Sequence, residues 1–126
     1  MSMTAMDLVA EAKKVIKEVD VEGAKRLMAD KAIVLDVREP AEAAQGHLSG
    51  AVNIPRGVLE FKVNEHPATQ DRDATYVVYC RTGGRSALAC QNLQRMGFAN
   101  VHSLAGGFEG WVGAGQAVEK DPAICG

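Results

Sequence analysis

The stretch that most limits what this chain can fold into is Thr75-Tyr76-Val77-Val78-Tyr79-Cys80-Arg81-Thr82-Gly83-Gly84-Arg85-Ser86. Its apolar run does not alternate, which predicts a strand covered on both faces, as in a parallel sheet. The run ends on a cysteine. A short glycine-rich loop carrying two arginines follows, and a helical pattern begins at once. Over residues 86–96, Ala89, Cys90, Leu93 and Met96 share a face, with Gly97 placed to end the helix.

The rest of the chain repeats the alternation. Residues 6–16 read as a helix with Leu8, Ala12, Val15 and Ile16 on one face, and 17–19 as a short strand. Asp20 is an N-cap for a helix over 21–29 with Ala24, Leu27 and Met28 together. Residues 32–37 form another non-alternating strand, and Pro40 opens a short helix over 41–45. A turn at 46–50, a strand at 51–54 closed by Pro55, and a helical stretch over 56–63 come next. Residues 64–74 are polar and predict a surface connection. A last strand at 101–104 turns at Ala105-Gly106-Gly107 into a short helix holding Phe108 and Trp111. Beyond Gly113 the chain is small and polar and is expected to lack fixed structure. Strands alternating with helices predict an α/β fold with a parallel sheet. The 126 residues make one domain, its core expected over about 15–113, with the N-terminal helix and a flexible C-terminal tail outside it.

Composition removes several functions. With 47% hydrophobic residues the chain can build a core without disulfides or metal. A net charge of −2 offers no case for nucleic acid or an anionic membrane. No apolar run reaches the roughly 18–20 residues that span a bilayer, and the N-terminus has no signal-peptide pattern, so a cytoplasmic protein is expected. Its three cysteines, Cys80, Cys90 and Cys125, form no C-x-x-C pair, which argues against a disulfide framework and a zinc site. Nothing in the chain demands more than a monomer or weak dimer.

A cysteine ending an apolar strand is ordinarily a small buried hydrophobe. Two arginines and a glycine pair in the next five positions are not explained that way. The thiolate is the nucleophile, and a free thiol is only a few per cent ionised near neutral pH. Cys80 precedes a helix N-terminus, which favours an anion. Arg81 and Arg85 are expected to lower its pKa further. Gly83 and Gly84 allow successive backbone N–H groups to turn inward as an anion-binding nest. In an open α/β sheet, sites lie beyond the carboxyl ends of the strands, where Cys80 stands.

Cys80-Arg81-Thr82-Gly83-Gly84-Arg85-Ser86 resembles the loop of the single-domain rhodaneses. So do Asp36-Val37-Arg38-Glu39, Gly46-His47-Leu48-Ser49-Gly50-Ala51 and Leu104-Ala105-Gly106-Gly107-Phe108-Glu109-Gly110-Trp111, in the family's order and spacing. The resemblance covers about residues 19–111. It implies a five-stranded parallel sheet flanked by helices on both faces. It also implies a sulfurtransferase without cofactor or metal. Cys80 would take sulfane sulfur from a small anionic donor such as thiosulfate, hold it as a persulfide, and pass it to cyanide, a thiol or a protein cysteine. The N–H groups of Arg81, Thr82, Gly83, Gly84, Arg85 and Ser86 would line the pocket, and Arg81 and Arg85 would bind the donor's oxygens. Cysteine-dependent phosphatases space their loop C-x5-R; this chain has C-x4-R, with Ser86 at the phosphatase arginine's position, so phosphatase or arsenate reductase chemistry is the alternative. A persulfide-carrier or regulatory module is a third. Mercaptopyruvate-using relatives have glycine after the cysteine, and Arg81 departs from that.

Among supporting residues, Asp36 and Arg38 close a strand at the same sheet edge. Asp36 is expected to accept loop hydrogen bonds, and Arg38 to make a structural ion pair in preference to bridging Glu42. His47 is expected to make a structural hydrogen bond in preference to acting as a base. Arg56 stands where it would reach the pocket mouth or solvent. His66 and His102 have no metal-like spacing. Cys90 and the pair Phe108 and Trp111 are expected in the core, and Cys125 in the tail.

Overall fold

The computed structural model describes residues 2–121 and Ile124. Thr4 opens α1 (Ala5–Lys13) with a reciprocal capping box: its hydroxyl accepts the Asp7 N–H at 3.1 Å, and the Asp7 carboxylate accepts the Thr4 N–H at 2.8 Å. β1 (Lys17–Val19) follows, and Asp20 caps α2 (Val21–Ala29) through the Gly23 N–H at 2.7 Å. Next come β2 (Ile33–Asp36), α3 (Pro40–Gln45) and β3 (Val52–Asn53). A 3₁₀ turn, Arg56–Val58, leads into α4 (Leu59–Lys62). The chain closes with β4 (Thr75–Tyr79), α5 (Gly84–Arg95), β5 (Asn100–Leu104) and α6 (Gly107–Gly113).

The five strands form one parallel sheet in the order β1-β5-β4-β2-β3, the α/β architecture expected. β4 lies at its centre and is buried on both faces, which is why its sequence does not alternate. Tyr76, Val78 and Cys80 pack with Leu59 of α4 and Ala89, Cys90 and Leu93 of α5. Val77 and Tyr79 pack on the opposite face with Ala24 of α2, Ala43 of α3 and Trp111 of α6. Strand periodicity thus sends the Cys80 side chain toward α5 and the Tyr79 side chain toward α3 and α6.

Two expectations about the ends are corrected. α1 is not outside the core: Val9 and Ala12 are buried against Ala87 of α5. Its buried residues are Val9 and Ala12, with Ile16 partly buried just beyond its end, whereas Leu8 and Val15 are 46% and 58% exposed. The segment after Gly113 is not a loose tail over its described residues. The Trp111 indole N–H donates to the Ala117 carbonyl at 3.0 Å, and His47 and Glu119 exchange two backbone hydrogen bonds of 2.8 Å. The Ser49 hydroxyl donates to the Glu119 carboxylate at 2.9 Å, and Ile124 is buried with the α2–α3–α6 face. The polar 64–74 connection carries one buried anchor, Thr69, whose hydroxyl donates to the Val63 carbonyl at 2.7 Å.

Candidate active site

Cys80 follows β4 directly and is 1% exposed. The loop bends back over it because Gly83 takes φ +117°, a left-handed angle that suits glycine. That bend brings the Gly83 N–H to 3.1 Å from Sγ. Ser86 lies in the first turn of α5, where backbone N–H groups have no partner within the helix. Its hydroxyl is 3.6 Å from Sγ. Burial is the largest single influence on the thiol and pushes it up. Hydrogen bonding from the Ser86 N–H and hydroxyl, and from the Gly83 and Thr82 N–H groups, outweighs it and holds Cys80 below the ordinary thiol range.

The arginines act differently from the simple expectation. Arg85 forks onto Glu42 of α3, at 2.7 and 2.9 Å, while staying within electrostatic reach of Cys80. That fork holds the Glu42 carboxyl down to about 2. The Arg81 Nε donates to the Glu109 carboxylate of α6 at 2.6 Å, in a pair largely exposed to solvent. The activated sulfur is therefore held by N–H and hydroxyl donors, while each loop guanidinium already has a carboxylate partner.

The loop is pinned from behind by α6. The Phe108 N–H donates to the Cys80 carbonyl at 2.8 Å and the Glu109 N–H to the Arg81 carbonyl at 3.0 Å. Both carbonyls face α6. This close approach needs Gly107: at its φ of +56°, a Cβ would stand 2.6 Å from the Arg81 oxygen and 2.7 Å from the Cys80 oxygen. Because those atoms are backbone, Gly107→Ala must displace the loop or α6. Alkylation of Cys80 by iodoacetamide near neutral pH is expected to slow roughly tenfold, the factor that accompanies one unit of thiol pKa. An unchanged rate would mean that the α6 contact does not set the loop.

Asp36 and Arg38 form a buried pair, 0% and 4% exposed. Arg38 Nη2 reaches Asp36 Oδ2 at 2.6 Å and the Gly46 carbonyl at 2.7 Å, and its guanidinium carbon sits 4.3 Å from the Phe108 ring centre. The Tyr79 hydroxyl donates to Asp36 at 2.8 Å, so the pair braces the residue preceding Cys80. His47 lies apart from the sulfur. Its Nε2 accepts the Asp121 N–H at 3.0 Å, so Nδ1 carries the proton and donates to the Leu48 carbonyl at 2.9 Å. Arg56 pairs with Glu60 at 2.9 Å. Cys90 is buried, and burial pushes its thiol up to about 12. Cys125 lies outside the described residues.

A cleft of about 320 Å³ opens beside the loop, lined by Arg38, Glu42, Arg81, Phe108 and Glu109 among others. Cys80 does not line it. Phe108, expected in the core, stacks on Tyr79 and also forms part of this wall. Sequence reasoning overlooked Ser103, a fully buried serine of β5 whose hydroxyl is 2.8 Å from that of Ser86. The available signal was a small polar residue two positions after Val101 and just before Leu104, near the carboxyl end of a strand. Among the described residues, no group of three or more His, Cys, Asp or Glu could hold a metal ion, and no helix is long and apolar enough to cross a membrane.

Comparison with known proteins bears on the fold and the family. The family model of the rhodanese-like domain matches residues 20–114. A sulfurtransferase of Allochromatium vinosum is 39% identical over 98 residues, covering 76% of this chain and 88% of the relative. The thiosulfate sulfurtransferase GlpE of Pseudomonas entomophila is 38% identical over 96 residues, 75% and 84% of the two chains. Among solved structures, a Rhodopseudomonas palustris protein of unknown function, described as a possible tyrosine phosphatase, superposes with a TM-score of 0.86 at 30% identity, covering 94% of this chain and 96% of that one. The human single-domain sulfurtransferase TSTD1 gives 0.70 at 28% identity, covering 76% and 95%.

Proposed function

Because the chain belongs to the rhodanese-like sulfurtransferase family, we propose that it moves sulfane sulfur through a persulfide on Cys80, with thiosulfate or a similar small anion as donor. The observation that carries this reading is the seat of the sulfur: a buried thiol under the Thr82, Gly83 and Ser86 donors, in a loop spaced C-x4-R. In the first step the Cys80 thiolate attacks the outer sulfur of thiosulfate. The new S–S bond forms as the bond to the sulfite group breaks, and sulfite leaves with its electron pair. In the second step an acceptor thiolate or cyanide attacks the outer sulfur of the persulfide and returns Cys80 as thiolate. Charge balances in both steps, and no oxidant is needed.

The loop's N–H groups serve the inner sulfur as thiolate and the outer sulfur as persulfide anion, so one cradle suits both resting forms. Arg81 is suited to meet the departing sulfite. Its pair with Glu109 is exposed, and exposed pairs are worth only about 0–1 kcal/mol, so the guanidinium is readily borrowed. Thiosulfate is the donor in the name of the Pseudomonas entomophila relative, which supports that choice here. A protein cysteine is the acceptor we favour in the cell, and a cytoplasmic setting would keep Cys80 a free thiol.

The likeness to a possible tyrosine phosphatase keeps a second reading in view. The shorter loop opposes it, as does the fork that already engages Arg85 with Glu42. The deciding experiment gives one preparation thiosulfate, and separately an aryl phosphate. We expect a single added sulfur by intact mass, mapped to the peptide holding Cys80 and released as thiocyanate by cyanide, with no aryl phosphate turnover. Aryl phosphate turnover without sulfur uptake would overturn the assignment.

A further inference from the structure

We propose that Ser103 is a positioning residue for Cys80: its hydroxyl holds that of Ser86 so that the Ser86 proton can turn from a backbone carbonyl to the sulfur when the thiol ionises. The placement follows from register. Ser103 pairs with Val78 across β4 and β5, which puts it on the α5 side of the sheet, the side Cys80 faces. Ser86 and Ser103 are both fully buried and their hydroxyl oxygens are 2.8 Å apart.

The donors can be assigned by elimination. The Ser86 hydroxyl has one proton and three neighbouring acceptors, the Gly83 carbonyl at 3.3 Å, Sγ at 3.6 Å and Ser103 Oγ at 2.8 Å. Among the described residues the Ser103 hydroxyl bonds to Ser86 alone, so both protons find an acceptor only when Ser103 donates to Ser86 and Ser86 serves the carbonyl or the sulfur. With Cys80 as a neutral thiol, S–H donates to Ser86 Oγ and Ser86 donates to the Gly83 carbonyl. Once the thiol is ionised, the sulfur has no proton to give, and the Ser86 hydroxyl turns to donate to it. The Gly83 carbonyl is not orphaned, since it keeps the Ala87 N–H at 3.1 Å. Ser86 Oγ has lost the S–H donor but keeps that of Ser103. Without Ser103, the thiolate form would leave a buried oxygen with no donor, whereas the thiol form would not. Ser103 therefore favours the thiolate selectively.

The charged and titratable groups around this relay are accounted for. From the loop and α5, Arg81 and Arg85 are paired with Glu109 and Glu42, and from the end of β2, Arg38 is paired with Asp36. Cys90 of α5 is held neutral by burial. On β1, Glu18 lies opposite Ser103 in register and has Lys13 at 3.8 Å. His102 neighbours Ser103 in β5 and pairs with Val77, on the opposite face. None of them bonds to Ser86 or Ser103.

The inference rests on Cys80 being the reactive thiol, as does the sulfurtransferase reading, but alkylation tests it without sulfur chemistry. The rate of iodoacetamide labelling, read at the Cys80 peptide, is measured against pH for the parent protein, Ser103→Ala and Ser103→Thr. Ser103→Ala is expected to move the midpoint up by roughly half to one pH unit, with the rate at high pH unchanged, and Ser103→Thr to restore it. Profiles that coincide for the parent and Ser103→Ala would overturn the proposal. So would a Ser103→Ala rate reduced by the same factor at every pH, which is the mark of a merely loosened loop. If the midpoint shifts while thiosulfate loads no sulfur, the relay stands and the sulfurtransferase reading falls.

Discussion

Cys80→Ser is expected to take up no sulfur from thiosulfate and to reduce transfer to cyanide to background, while keeping the fold. The fold should survive because serine is nearly isosteric with cysteine and can accept the same Gly83 N–H. The chemistry should not survive. A serine hydroxyl in this cradle stays protonated, and its oxygen cannot hold sulfane sulfur as a persulfide. Nor can Cys90 stand in. It is buried on α5 with its thiol pushed up to about 12, so it stays a thiol near neutral pH. The measurement is intact mass after thiosulfate, together with a urea midpoint to establish the fold. A variant that unfolds at the parental midpoint and still gains one sulfur would place the carrier elsewhere in the chain.

How far the sequence could be read depends on the kind of signal. The centre of the sheet was legible because burial on both faces shows as an apolar run without alternation, as in β4. The loop was legible because its glycines, cysteine and arginines are contiguous. The α1 face was not, because that helix packs through only two buried residues, Val9 and Ala12, onto α5 around the small residue Ala87. In nine residues, Ala12 fits both the observed face and the one expected through Leu8 and Val15, so periodicity cannot rank them. The docking of residues 114–121 was invisible because they join the domain largely through backbone groups of Ala117, Glu119 and Asp121, and the side-chain bond between Glu119 and Ser49 spans 70 residues. The partners of the loop arginines were illegible for a third reason. Glu42 lies 43 residues from Arg85, and Glu109 lies 28 from Arg81. Only the completed sheet brings those helices together. As a result, a site that looks strongly cationic in one dimension is largely compensated in three, and stabilisation of the Cys80 thiolate falls chiefly to the N–H and hydroxyl groups of a bent loop.

The same reasoning makes the Asp36–Arg38 pair the most consequential polar contact beneath the site. Both Asp36 oxygens are engaged. The Arg38 backbone N–H and Nε reach Oδ1, each at 3.0 Å, and Arg38 Nη2 and the Tyr79 hydroxyl reach Oδ2 at 2.6 and 2.8 Å. Each carboxylate oxygen thus faces donors. In Asp36→Asn the amide NH₂ must point at one of these sets, losing its bonds and setting donor against donor, while Arg38 keeps a buried charge without a counter-ion. Breaking a buried pair from one side costs about 3–5 kcal/mol, so Asp36→Asn should lower the unfolding free energy by that amount in urea titration. The loss should reach the site as well, because Tyr79 precedes Cys80 and Arg38 supports Phe108. Replacing both partners at once, as Asp36→Leu with Arg38→Met, removes the orphaned charge and should recover much of the stability, since a buried pair is often matched by apolar residues of similar volume. A single substitution costing under about 1 kcal/mol would show that solvent reaches the pair and that the strand ends are braced by something else.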